Sequence, residues 1–261
     1  MTKERFLNTG LPLLAVLIGL GLWEAVVRIN DIPPVLLPSP SLIVLTLIKD
    51  WHTLYGSLLV TLSITLEALV AATVGGTLLA LAFAQWRVLE RAFFPFAVIL
   101  QVTPVVSIAP LLLVYLNSGA AVLVCAFLVG FFPILSNTAL GLASVDHNLL
   151  DLFQLYRATR GRQLWLLRIP SALPYFLGGL RIGGGLALIG AIVAEIAAGS
   201  AGRGAGLAFR IVESGYRLNI PRMFAALVLI SVAGIFIFIM LSALSYALLH
   251  RWHDSARTRE T

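Results

Sequence analysis

Continuous apolar runs constrain this chain more than any other feature. Residues 122–135 read VLVCAFLVGFFPIL, without one charged side chain. Runs of this kind recur at roughly 11–29, 57–84, 93–116, 120–140, 174–198 and 223–249. At about 1.5 Å of rise per helical residue, each covers the ~30 Å hydrocarbon core of a bilayer. A membrane β-barrel would instead show segments of about ten residues with alternating polarity. A soluble fold is excluded by its covering: only 11% of the 261 residues are charged, against about 25% in soluble domains. The sequence predicts an all-α membrane protein with six transmembrane helices. It predicts a single domain over residues 1–261, with an N-terminal span at 11–29 and core spans over 57–249.

The first ten residues, MTKERFLNTG, precede LPLLAVLIGLGLW, a basic-then-apolar order that resembles a signal peptide. No small-x-small cleavage site follows, and Trp23, Glu24 and Arg28 continue the helix, so an uncleaved first span is expected. Lysine and arginine placement orients the spans. With the N-terminus inside, eleven basic residues fall in cytoplasmic segments and five in outer ones, which predicts both termini in the cytoplasm. The formal net charge of +6 thus serves topology and anionic lipid rather than nucleic acid. The single cysteine, Cys125, lies in an apolar run and reads as a small core residue.

Outside the first span, DIPPVLLPSPS (31–41) is too rich in proline for a regular helix. Residues 41–55 then read as a short amphipathic helix capped by Ser39 or Ser41.

The segment LLDLFQLYRATRGR (149–162) differs from its neighbours. Leu149, Leu152, Phe153 and Tyr156 share one stripe at helical spacing, with Asp151, Gln154, Ala158 and Arg162 opposite. The pattern predicts an amphipathic helix on the cytoplasmic side, ended by Pro170 and Pro174 as the next span begins. Three readings are open: it lies in the lipid headgroups, it packs on its own bundle, or it docks a soluble partner in a groove.

This segment followed by IPSALPYFLGGLRIGGGLALIGAIVAE resembles the cytoplasmic loop of permease subunits of bacterial ABC importers. More closely, the chain resembles the nitrate/sulfonate/taurine/bicarbonate branch. LPSPS (37–41), FFPILSNTALGL (131–142), SVDHNLLD (144–151), ALPYFLGGLRI (172–182), IVAE (192–195) and PRMFAALVL (221–229) fall in the expected order. There are departures. Asp151 stands at the family's Glu position, Leu152 and Phe153 replace two alanines, and Arg157 replaces a glycine.

The resemblance implies a type I importer permease in the bacterial inner membrane, with a coupling helix between spans 4 and 5. It implies a homodimer, two nucleotide-binding ATPase subunits below and a periplasmic substrate-binding protein above. Asp151, Leu152, Phe153, Tyr156, Arg157 and Ala158 would form the ATPase contact. The residues agree on one point by themselves. The only lysines are Lys3 and Lys49, and no G-x-x-x-x-G-K-[ST] loop exists, so phosphates cannot be cradled in the P-loop manner. No cofactor is expected on this chain; ATP and Mg would sit on the partner ATPase. A transport subunit for a small anionic or organic nutrient is expected, not an enzyme. The alternative is a self-contained secondary transporter or channel.

Other features leave choices open. Gly179, Gly183, Ala187 and Ala191 form a small-xxx-small stripe, read either as packing within the chain or as a moving dimer interface. Pro104 and Pro110 should kink the third span and free carbonyls, and Gln101, Thr103 and Ser107 beside them are candidate lining residues of a wet path. Arg203, Arg210 and Arg217 lie in a glycine- and arginine-rich outer loop, 199–222. They read as an anion vestibule, as a dock for the binding protein, or as solvated partners of Glu213 and lipid. For the span charges Glu24, Glu67, Arg181 and Glu195, ion pairing or snorkelling stands ahead of substrate contact, with Arg203 one partner for Glu195. HRWH (250–253) reads as a membrane-interface end rather than a metal site.

Overall fold

The computed structural model describes residues 2–199 and 204–250, with side chains from Gly10 onward. The described residues form helices and short connections. In chain order these are α1 (Thr2–Ile29), α2 (Pro40–Lys49), α3 (Trp51–Gln85), α4 (Arg87–Val102), α5 (Val105–Tyr115) and α6 (Ser118–Ala143), then α7 (His147–Leu155), α8 (Arg160–Gln163), α9 (Ile169–Ala198), α10 (Leu207–Tyr216) and α11 (Ile220–Leu249). Two compact units are distinguished, one from Met1–Leu58 with Gly206–Ile230, the other from Leu59–Ala205 with Ser231–Thr261.

Five helices among the described residues are long and apolar enough to cross a membrane: Gly10–Ile29, Trp51–Gln85, Ser118–Ala143, Arg160–Ala198 and Ile220–Leu249. The span expected over 93–116 is not one helix. Its residues belong to α4 and α5, which meet at a bend of 100°, so a sixth span exists only if this bent pair is counted as one. Pro104 explains the break. It offers no N–H to the helix, and its ring pushes the preceding Thr103 out of the helical region, to φ −74 and ψ 123.

The first unit is built around Ile43, Leu54, Leu207, Ala225, Ala226 and Leu229. Trp23 packs on Phe224 with ring centroids 5.8 Å apart. The short helix runs over 40–49 rather than 41–55, because Asp50 leaves the helical region before α3 begins. Ser39 is its cap, accepting from the Leu42 N–H at 3.4 Å. Glu24 ties α1 to α2: it accepts from the Ser41 N–H, the Ser41 hydroxyl and Arg28 at 3.0, 2.7 and 2.6 Å.

The core of the second unit is the crossing of α6 and α9. Small residues let the two backbones approach. A Cβ on Gly179 would stand 2.7 Å from the Pro133 carbonyl oxygen, and one on Gly183 would stand 2.8 Å from that of Gly130. Ala187 and Ala191 are fully buried in the same row. The small-residue stripe is therefore packing within the chain, and the dimer-interface reading of these four positions is overturned. Cys125 is buried and free beside Ala191 and Ala194.

The expectation that Pro170 and Pro174 end the helical run is also corrected. The chain stays helical from Arg160 through Ala198. Leu164–Arg168 forms a π-helical turn just ahead of Pro170, and Pro170 occupies the first turn of α9. A π turn widens the ladder by one residue, so the turn accommodates the proline ring and its missing donor.

The crossing generates a contrast between adjacent residues. Gly179→Val should lower the thermal stability of the purified chain by about 1–3 kcal/mol through overpacking. Gly178→Ala, which meets nothing within 4 Å, should leave the melting temperature unchanged or slightly raised. Equal effects at the two positions would contradict the close approach.

Candidate functional site

The amphipathic segment resolves into a shorter helix than its periodicity predicts. α7 starts at Asp146, whose side chain accepts from the Asn148 N–H at 2.8 Å and caps the first turn. It ends at Leu155, not at 162. The Arg157 N–H bonds to the Gln154 carbonyl at 2.8 Å and the Ala158 N–H to that of Phe153 at 2.9 Å. Together these bonds make a Schellman stop, whose last-but-one residue must adopt the left-handed conformation. Arg157 does so, with φ 51. Glycine is the usual occupant of such a position, and the side chain of Arg157 adds a steric cost of about 1–2 kcal/mol. Asp31 and Leu218 repeat the arrangement beyond α1 and α10, with φ 47 and 53.

The helix turns little of its apolar side inward. Leu150 and Phe153 are half-buried, whereas Leu149, Leu152, Leu155 and Tyr156 are exposed. Leu155 and Tyr156 are 80% and 79% exposed. Packing of the whole stripe on the chain's own bundle is therefore excluded. Asp151 and Arg157 are exposed and Ala158 is half-buried, so all six proposed contact residues lie together on α7 and its stop, four of them exposed. Trp165 and Leu166 of the π turn are also exposed, at 70% and 67%.

A basic cavity of about 580 Å³ lies at this end of the second unit, lined by Arg87, Arg160, Gln163 and Arg168. Charge counting used these arginines for topology alone, and nothing in their spacing brings them together. A second cavity, about 560 Å³, joins Arg181 of α9 to Ser242 and Ser245 of α11. Arg181 and Ser242 lie on different spans, which periodicity does not pair.

The three pathway candidates surround the bend. Gln101 is in the last turn of α4, Thr103 caps it, and Ser107 is in the first turn of α5. Gln101 and Ser107 are exposed. The Thr103 hydroxyl donates back to the Ile99 carbonyl at 2.8 Å.

On the outer loop, Arg203 lies outside the described residues. Arg210 is committed: its Nε donates to the buried Ser57 hydroxyl at 2.9 Å and its Nη1 to Glu213 at 2.7 Å. Arg217 reaches the other oxygen of Glu213 at 3.0 Å and is otherwise exposed. The Arg210 hydrogen bond, opposed by partial burial and aided by the charges of Arg210, Arg217 and Arg222, holds the Glu213 carboxyl below its ordinary value of 4.5. These two arginines thus match the expectation of pairing with Glu213. Among the span charges, Glu24 is paired as described, and buried Glu195 accepts from Thr61 at 2.8 Å. Glu67 stands on the exposed side of α3.

Known proteins resemble this chain over most of its length. A family profile described as "Binding-protein-dependent transport system inner membrane component" matches residues 72–257. The chain is 34% identical over 253 residues to the riboflavin transport system permease protein RibX of Chloroflexus aurantiacus, covering 94% of this chain and 91% of that protein. It is 35% identical over 243 residues to the formylaminopyrimidine transport permease protein ThiX of Halalkalibacterium halodurans, covering 91% and 94%. Similarity to the taurine transport system permease protein TauC of Escherichia coli is 26% over 262 residues, covering 97% and 93%. Among solved structures, a chain from the crystal structure of an amino acid ABC transporter with histidines superposes with a TM-score of 0.63 at 17% identity, covering 77% of this chain and 96% of that one. That likeness shows the fold.

The left-handed arginine supplies the prediction for this site. Arg157→Gly should remove the steric cost, raising hydrogen-exchange protection of the 157 and 158 amides by about five- to thirtyfold. Unchanged or lower protection would contradict the Schellman geometry.

Proposed function

This chain belongs to the binding-protein-dependent transport system inner membrane component family, and on that premise we propose how it is driven and by what. As a member it is the membrane permease subunit of an ABC importer. In our reading, α7 and its Schellman stop dock a separate nucleotide-binding ATPase. The observation that carries this is the exposed apolar side of α7: Leu149, Leu152, Leu155 and Tyr156 at an end read as cytoplasmic from the arginine count. An unpaired apolar helix face of this size fits a partner groove.

The geometry also supports a route for motion. Past the stop, the backbone is helical from Arg160 to Ala198, and α9 is locked to α6 by backbone-close contacts. A displacement at α7 therefore reaches the membrane along one strut. ATP and Mg reside on the ATPase, whose closure pulls α7 and switches the spans between inward- and outward-open forms. Two copies of the permease and two ATPases make the assembly, with both termini cytoplasmic and a periplasmic binding protein delivering solute. Both compact units serve one permease domain. Asp151 replaces the family's Glu, and Leu152, Phe153 and Arg157 enlarge the contact, which points to an ATPase groove shaped for them.

The solute is a small anionic or organic nutrient. The relatives named for riboflavin, formylaminopyrimidine and taurine transport span that range, and choice among such solutes rests with the binding protein.

The test is a double substitution, Leu152→Asp with Tyr156→Asp, in the co-expressed transporter. The exposed positions leave the fold intact, so membrane insertion should match the parent. Retention of the ATPase on purification should fall at least about tenfold, because each charge must be desolvated in an apolar groove. Full retention with coupled hydrolysis would remove α7 as the handle.

A further inference from the structure

We infer that the cavity between α9 and α11 is a binding site for a single anionic group, centred on Arg181 with Ser242. Several independent observations converge there. Arg181 lies seven residues past the start of the apolar span at 174–198, about 10 Å along the helix axis, and so within the apolar stretch of α9. An arginine at that depth needs compensation. Among the described residues no carboxylate pairs with it. Its Nε is buried without a hydrogen-bond partner, and so is the Ser242 hydroxyl. Both residues line the same cavity of about 560 Å³, together with Pro174, Gly178, Ser245 and Tyr246.

The two walls are regular. Pro174, Gly178 and Arg181 recur along one face of α9, and Ser242, Ser245 and Tyr246 along one face of α11. Phe238 backs the guanidinium, with the ring centroid 5.9 Å from Cζ. This leaves the guanidinium's donor edges for the open side. Gly178 keeps the space clear, since a Cβ there would meet nothing within 4 Å.

The donor set defines the ligand. A guanidinium fork with hydroxyls beside it matches a carboxylate, sulfonate or phosphate, all of which present several acceptors and a negative charge. A neutral solute would leave the arginine uncompensated. The Pro174 and Leu249 ends of the cavity lie toward the half of the helices read as cytoplasmic. An anion held there is either the head of a transported solute or the headgroup of an anionic lipid. The inference rests on the membrane-permease reading for the depth of Arg181, but not on α7 as the ATPase contact.

The test uses the full chain in phosphatidylcholine nanodiscs. In the first arm, methanesulfonate is titrated against dimethyl sulfone, a neutral molecule of similar size, and the melting temperature is followed. In the second, nanodiscs are doped with phosphatidylglycerol and retained lipid is counted by native mass spectrometry. A solute site predicts a saturable rise with methanesulfonate and none with dimethyl sulfone. A lipid site predicts a retained phosphatidylglycerol. In either case Arg181→Gln and Gly178→Leu should weaken the response at least about tenfold. Gly178→Leu fills the cavity without touching the charge, so it and Ser242→Ala decide the matter if Arg181→Gln fails to fold. The proposal is overturned if neither anion acts on the parent chain, or if the variants respond as the parent does. Either failure leaves docking of the ATPase at α7 untouched.

Discussion

The structure depends first on the close approach of α6 and α9. In lipid, two apolar helices gain little by hiding side chains from one another, since the surrounding tails are equally apolar. Association must come from contact between well-shaped surfaces. Here Gly179 and Gly183 bring one backbone against the carbonyls of Pro133 and Gly130. Ala187 and Gly190 continue the seam toward Ala126. The crossing fixes α9, and everything continuous with α9 inherits its position, including the π turn and the short helix α8.

Against this rigid pair, departures from the α-helix stand out as deliberate features. Backbone polar groups have no water to turn to in the hydrocarbon, so each departure must satisfy its own donors and acceptors. At the bend, Thr103 does so by bonding its N–H to Ile99 and Leu100 and its hydroxyl to Ile99. At Leu164–Arg168 the wider turn keeps the ladder intact ahead of Pro170. On the side read as cytoplasmic, outside the hydrocarbon, Schellman bonds close α7 and aim the following residues toward α8. The exposed apolar side chains of α7 therefore stand on a helix with a fixed end, joined by a short link to a fixed strut.

Much of this was legible in the sequence, for reasons specific to each element. Uninterrupted apolarity located the spans because membrane thickness sets their length. The stripe Leu149, Leu152, Phe153 and Tyr156 correctly marked an amphipathic helix, but its end was misplaced at 162. The stop residue is arginine, and a Schellman turn built on arginine gives no glycine to read. The small-residue stripe named a face without naming its partner, so only the structure could assign it to α6. Pro104 signalled a kink, but nothing in hydropathy gives its size, a bend of 100°. Arg181 and Ser242 share a cavity although they come from different spans, and periodicity along either helix is silent about the other. Arg210 and Arg217 were legible as a charged group, and their capture by Glu213 followed from helical spacing of three and four residues.

The central claim is that this permease carries no energy source of its own and is moved through α7 by a nucleotide-hydrolysing partner. The most direct measurement is uptake of a radiolabelled solute into sealed liposomes containing the purified chain, with proton and sodium gradients imposed in turn. The account predicts no accumulation against the gradient under either condition. Accumulation should appear only when the ATPase, the binding protein and ATP are supplied together. Uphill uptake by the chain alone would contradict it.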